Sequence, residues 1–486
     1  MAIPEKVSSD LATVLSVARQ RIGPGSDENF HLGTHPISLG RRANAMNLIA
    51  SLALVIAPIH QLPSEILALI FVEAAQPTSW QSDAEWHTHT SSFACALRLS
   101  QVCSTWRQVA LRTTLLWRVA LPLTKKHSSA MLREFLQRAG AGLVPMDFPK
   151  GLPKSTLTTM LEVLPRAAAL SVRCKDILNR MLGDNCPVLT NLHTLSVTVT
   201  CGPHESRTAA FITAETLATV TLNGPLLPMP WSRLEDLTLH TPTVHAREVL
   251  QALTQCTRVV HLNVIMQAWR VETTPRTDAH ILAYLQSFKL HFKAVGGLHF
   301  DTMFWSLRLP SLCSFTLELE NNFESWQAST QAEFTLFLLG SPHLENLGLR
   351  ACKLTATDIH GMLICVPKLQ QVNLQSCSGA AFTSRLVECL TYDAANPAPT
   401  LVPLLHTLTA DNIFGGDDGL EDDEKLWAMI DSRASPASGP FPITPLRKIH
   451  LQFDDGWMEI NDPLSPAVRA RIAVLKSRGL DILIFG

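Results

Sequence analysis

The chain has 486 residues, 46% of them hydrophobic, and its 40 basic and 42 acidic residues leave a formal net charge of −2. That length suffices for about two to four domains, or for one repeat array with a large core. Balanced charge with no strongly basic segment argues against nucleic acid as the main partner, and 11 scattered cysteines without a Cys-x-x-Cys pair argue against a disulfide framework or a zinc ribbon.

The first 57 residues are expected to form a helical and loop segment. Residues 1–21 lack a basic leader followed by a continuous apolar stretch, and no Asn-x-Ser/Thr sequon occurs, so a cytoplasmic or nuclear chain is expected. Leu11, Val14, Leu15, Ala18 and Ile22 suggest a weak amphipathic helix, and the Gly/Pro-rich stretch after it reads as loop. Met46–Ile59 is apolar but reaches only about 14 residues, short of the roughly 20 that span a bilayer; it is read as a helix packing on the unit that follows.

Two amphipathic segments come next. In the first, Pro63 suits the opening turn of a helix, where its missing N–H is no loss, and Leu62, Ile66, Leu67, Ile70 and Phe71 share a face. In the second, Leu99, Val102, Cys103, Trp106, Val109 and Ala110 recur at intervals of three and four, and Leu116 and Trp117 close the segment. Short helices this rich in Leu, Ile and Trp cannot hide every apolar face within about 55 residues, so some of that surface should meet a partner. A helical hairpin belonging to the main core would show the same periodicity.

Leu-Pro, Ile-Leu, Ile-Phe, then Leu..Val-Cys..Trp-Arg..Ala and a final Leu-Trp resemble the F-box family, here at 58–120. The stretch 74–93 is longer than a compact F-box needs and resembles an insertion common in fungal members. The resemblance implies that Leu62, Pro63, Ile66, Leu67, Ile70, Phe71, Leu99, Val102, Cys103, Trp106, Leu116 and Trp117 bind a Skp-type adaptor.

Beyond 120 the chain repeats a Leu-x-x-Leu-x-Leu pattern with apolar replacements. It occurs at Leu192/Leu195/Val197, Leu217/Val220/Leu222, Leu234/Leu237/Leu239, Val259/Leu262/Val264, Val295/Leu298/Phe300 and Leu312/Phe315/Leu317. It continues at Leu344/Leu347/Leu349, Leu369/Val372/Leu374, Leu405/Leu408/Ala410 and Leu446/Ile449/Leu451. Middle residues 195 and 220, 237 and 262, and 347 and 372 are each 25 apart, within the roughly 20–29 of a leucine-rich repeat. Alternation within each motif predicts a short strand, and helices are predicted over Ala246–Cys256, Ala332–Gly340 and Thr355–Val366. Pro310, Pro342, Pro367 and Pro445 end the connections before the next strand.

The repeats around Cys352 and Cys377 look most like the leucine-rich repeat family. The expected fold is therefore α/β: an all-helical F-box followed, over 121–486, by an irregular leucine-rich-repeat solenoid with parallel strands on the concave side and helices on the convex side. A loop or disordered insertion is placed near 412–445, where the acidic run 417–425 reads as solvated. A doubly wound sheet also alternates strand and helix, but no G-x-G-x-x-G turn supports its nucleotide-binding form.

Motifs for catalysis are missing: there is no H-E-x-x-H, G-x-S-x-G, Walker loop or deaminase signature. His87 with His89, and Cys201 with His204, lack two further ligands at metal spacing, and the acidic run lacks the pattern of an EF-hand. No enzyme, cofactor or metal is expected. An F-box followed by a leucine-rich array resembles the substrate-receptor subunit of a Skp–cullin–F-box ubiquitin ligase, which implies an adaptor, a cullin held through it, and a target protein as partners, and neither nucleic acid nor membrane. An adaptor-binding scaffold and an orphan α/β hydrolase are the alternatives. Outward positions beside the repeat leucines, Arg350, Gln371, Asn373, Gln375, His450 and Gln452, are the candidate target contacts.

Overall fold

The computed structural model describes residues 62–75, 89–119, 129–173, 178–179, 188–198, 210–241, 246–266, 279–293, 301–320, 326–377, 383–393, 401–413, 423–434, 443–453 and 466–485. The expectations for 1–57, and those for His87, Cys201 and His204, lie outside these residues. The chain divides into two compact units, the first ending at Gly142 and the second running from Leu143 to the C-terminus with Leu123–His127.

The first unit is helical. Helix α1 (Ser64–Ala75) starts directly after Pro63, whose carbonyl accepts the Leu67 N–H at 3.0 Å. Helices α2 (His89–Leu99) and α3 (Ser104–Arg112) follow, then a 3₁₀ turn at Thr114–Trp117 and helix α4 (Ser129–Arg138). Phe71, Phe93, Val109, Ala110, Leu116 and Trp117 form the interior. The buried Trp117 indole N–H donates to the Ala110 carbonyl at 2.8 Å, so its polar edge is satisfied. Helix α4, beyond the 58–120 segment, belongs to the same compact unit. Phe135 meets Phe93 and Trp117 edge-on at 5.8 and 6.4 Å, and the Arg138 guanidinium lies 4.9 Å from the Trp117 ring.

The second unit is an α/β solenoid-like array. Its strands are β1 (Val144–Phe148), β2 (Ala167–Val172), β3 (Thr194–Thr198), β4 (Thr219–Asn223), β5 (Asp236–Thr241), β6 (His261–Met266), β7 (His280–Ile281) and β8 (Ser287–Phe292). Then come β9 (Leu307–Arg308), β10 (Ser314–Leu319), β11 (Asn346–Arg350), β12 (Gln371–Gln375), β13 (Thr407–Ile413), β14 (Lys448–Phe453) and β15 (Asp481–Phe485). Among the described residues, all but β7 and β9 build one 13-stranded sheet in chain order, while those two pair separately. Neighbours are parallel throughout.

Register alignment explains the leucine pattern. Leu170, Leu195, Val220, Leu237, Leu262, Phe288, Phe315, Leu347, Val372, Leu408, Ile449 and Ile482 are successive Cα partners, and every one is buried. A second buried row, two residues further along each strand, runs from Val197 through Leu222, Leu239, Val264, Leu290, Leu317, Leu349 and Leu374. Parallel strands so stacked turn a sequence repeat into continuous apolar ladders.

Helices connect these strands: α5 (Lys154–Val163), α6 (Ala246–Gln255), α7 (Asp301–Ser306), α8 (Ala328–Leu339), α9 (Ala356–Cys365), α10 (Ser384–Leu390), α11 (Asp423–Ala434) and α12 (Pro466–Ser477). They pack on the ladder side, as Phe315 of β10 shows by meeting Phe337 of α8 at 5.1 Å and Phe334 at 5.7 Å. Helix α9 opens on a capping box: the Asp358 N–H donates to Thr355 Oγ1 at 3.2 Å and the Thr355 N–H to Asp358 Oδ2 at 2.9 Å.

The repeat placed at Val295/Leu298/Phe300 lies outside the described residues; the sheet strand between β6 and β10 is β8, with Phe288 and Leu290 buried and Leu285 buried just ahead of it. Two expectations need correction. Strands β1, β2 and β15 extend the array beyond the ten motifs. Within the supposed loop insertion 412–445 lies α11, which buries Leu426, Trp427, Met429, Ile430 and Arg433. Among the described residues no helix is long and apolar enough to cross a membrane.

Candidate functional site

Helix α1 presents two apolar faces. Leu67 and Phe71 point into the helical unit, while Leu62, Ile66, Leu69 and Ile70 are 36–63% exposed. Because a helix turns 100° per residue, positions 66, 69 and 70 form one outward stripe, and Leu62 lies just ahead of the helix. Val102, Leu111 and Leu115 are likewise 41–55% exposed. Covering such a side chain stabilises an interface by about 1.5–3 kcal/mol when the burial is complete, and a cluster of several on so small a unit marks a contact surface.

The twelve residues assigned to adaptor binding thus divide. Leu62, Pro63, Ile66, Ile70 and Val102 are exposed; Leu67, Phe71, Leu116 and Trp117 are interior; Leu99, Cys103 and Trp106 are half-buried. Cys103 caps α3, its Sγ accepting the Trp106 N–H at 3.4 Å, and the Trp106 ring stands 4.9 Å from Phe71. Interior residues act on any partner by holding α1 and α3 in place. Sequence reasoning did not mark Leu69, Leu111 or Leu115; the continuation of the stripe from Ile66 by one turn was the available signal for Leu69.

The second candidate surface is the sheet face opposite the ladders. Over β1–β3 this face is closed: Asp147, Ser171 and Ser196 are buried, and Asp147 accepts from Ser171 Oγ at 2.8 Å and from the Arg173 guanidinium. From β4 onward its side chains are at least partly exposed. All six residues proposed for target contact lie here. Arg350 is the register partner of Gln375, and Gly348 that of Asn373, so these stand together with Gln371. His450 and Gln452 are separated from them by β13, whose Thr409 pairs with both Asn373 and His450.

One ion pair and three histidine–carboxylate approaches lie on the open face. Arg350 reaches Glu318 at 3.1 Å, the same carboxylate is 4.0 Å from His291, His261 lies 3.9 Å from Asp236, and His450 lies 3.9 Å from Asp481. Glu318 and Asn346 join the surface without having been marked in the sequence; each occupies an outward repeat position next to a marked one. Among the described residues no group of three or more His, Cys, Asp or Glu could hold a metal ion. Cys352 and Cys377 are buried, and burial pushes the Cys377 thiol up to about 12 and that of Cys352 well above its usual range, so neither is poised as a nucleophile.

The F-box-like family model matches residues 59–120, which take in α1–α3 and the 3₁₀ turn. No curated protein matches the chain. Among solved structures, a protein from Bacteroides fragilis is similar at 13% identity and a TM-score of 0.29; the match covers 60% of this chain and 66% of that one.

Proposed function

We propose that the chain is the substrate-recruiting F-box subunit of a Skp–cullin–F-box ubiquitin ligase. In this reading the F-box-like unit docks on the Skp-type adaptor through Leu62, Pro63, Ile66, Leu69 and Ile70, with Val102, Leu111 and Leu115 extending the contact. The open sheet face from β10 to β14 holds the target, with Arg350, Gln371, Asn373, Gln375, His450 and Gln452 at the contact. No chemistry is performed by this chain. Holding a target lysine near the charged ubiquitin carrier raises its effective concentration, and that is the contribution to rate.

The observation that carries the proposal is the outward apolar stripe of α1 within the F-box-like segment. Affinity purification of the intact chain tests it: recovery of adaptor and cullin together is expected. Adaptor without cullin would mean a scaffold outside ubiquitin transfer, and recovery of neither would sink the assignment.

A further inference from the structure

The open face over β10–β13 narrows what can bind there. Its outward positions are Ser314, Thr316 and Glu318 on β10, Asn346, Gly348 and Arg350 on β11, Gln371, Asn373 and Gln375 on β12, and Thr407 and Thr409 on β13, all in register. None is aromatic or aliphatic, so no apolar anchor has a pocket there. Glu318 and Arg350 offset one another at 3.1 Å. Asp411, next along β13, keeps its negative charge, but its carboxylate is engaged by the Ser376 N–H. Lys289 and Lys448, the nearest other cations on this face, sit one strand outside on either side.

What remains is a set of primary amides. Gln371 and Asn373 are exposed, and Gln375 and Asn346 are part-exposed; Asn346 Oδ1 is itself buried, with no donor to it among the described residues. A primary amide offers donors and an acceptor, the complement of a peptide group. The amides of Gln371, Asn373 and Gln375 stand on alternate residues of one strand, about 6.6 Å apart. An extended polypeptide laid along β12 has the same two-residue repeat, so each amide can meet every second peptide group of the guest.

Resting on the target-face reading above, we infer that the guest at this surface is an extended, uncharged polypeptide segment, held along β12 by hydrogen bonds from Gln371, Asn373 and Gln375 to its main chain, with Asn346 alongside. Recognition of this kind is insensitive to salt, because no net charge is neutralised on binding.

The test uses the full chain as bait for a displayed library of random dodecapeptides, with binders then synthesised and measured. Expected binders carry a net charge near zero, and their Kd changes less than about twofold between 0.1 and 0.5 M NaCl. The Asn373→Ala, Gln375→Ala double variant should raise Kd at least about tenfold with an unchanged melt. Isosteric Asn373→Asp, Gln375→Glu removes the donors without removing bulk and should do the same. Singly N-methylated peptides should lose affinity at alternate residues. Acidic binders that need both amides and weaken about tenfold with salt, or methylation without alternation, would overturn the neutral main-chain reading while leaving the face as the target surface. Binders indifferent to both double variants, or no binders at all, would overturn the face as well.

Discussion

Arg433 and Arg350 show how differently one residue type acts on the two sides of this sheet. Arg433 on α11 is completely buried and donates to the carbonyls of Leu390, Leu401 and Val402, the last two at 2.6 and 3.2 Å. Burial draws its pKa down to about 10, which still leaves it charged at neutral pH. It ties the end of α10 to the start of the next strand connection, where Val402 adopts a φ of 46°. Arg433→Met strands three buried acceptors at about 1–3 kcal/mol each, partly relieved by local rearrangement, so a loss of about 3–5 kcal/mol is expected in urea unfolding. Arg433→Lys should recover part of it; a Met variant as stable as the parent would show the guanidinium to be dispensable. Arg350 is exposed, so Arg350→Ala should cost less than about 1 kcal/mol. Just ahead of α1, Leu62→Ala with Pro63→Ala trims two residues on the exposed side of the unit. Adaptor capture should fall at least about tenfold with the melt unchanged.

At the scale of elements, α4 decides where the helical unit ends. Phe135 is wedged between Phe93 and Trp117, so Phe135→Ala should destabilise this unit by about 3–5 kcal/mol without moving the transition of the sheet. Hydrogen exchange resolved by segment would check this: faster exchange confined to α1–α4 is expected, and uniform protection would refute it. The sequence did not show α4 as part of this unit because its partners lie some 20–40 residues upstream, beyond the reach of any periodicity. Strands β3–β6 and β10–β14 were legible because two buried ladders demand apolar residues at the same places in each repeat. Strand β8 carries the same pattern at Leu285, Phe288 and Leu290, but the match at Val295/Leu298/Phe300 ten residues on competes with it, and the pattern alone does not choose between them. Helix α11 begins at the end of an acidic run: Asp423 and Glu424 favour the positive end of a helix dipole, yet by composition they read as solvent. For α1 the motif was plain, but Ile66 and Leu67 are equally apolar, and only packing shows which one faces out.

For the molecule as a whole, chain order and spatial order coincide over 13 strands. The buried thiols give a global probe of that interior. Burial raises Cys256 and Cys377 to about 12 from an ordinary 9, so below pH 9 they remain protonated folded or unfolded and add no pH dependence. Between pH 9 and 12 the unfolded thiols ionise while the buried ones do not, so stability should fall over that window. The urea midpoint at pH 10.5 should lie below that at pH 8, with a smaller drop in a Cys256→Ala, Cys377→Ala variant; an equal drop would assign the loss to other groups. At pH 8 the native chain should resist alkylation at Cys256, Cys352 and Cys377 until denaturant is added.

A sheet whose strands stack in chain order also bears on synthesis. Strand β2 finds its partner as soon as residue 172 has left the ribosome, and every later strand adds to a template already in place. Growth is therefore vectorial, with the short loop closures that favour fast pairing. The exposed growing edge exists only until the next strand emerges, so a pause in translation between β13 and β14, the widest stretch of sequence separating neighbouring strands of the sheet, would leave an unpaired edge waiting longest for its successor.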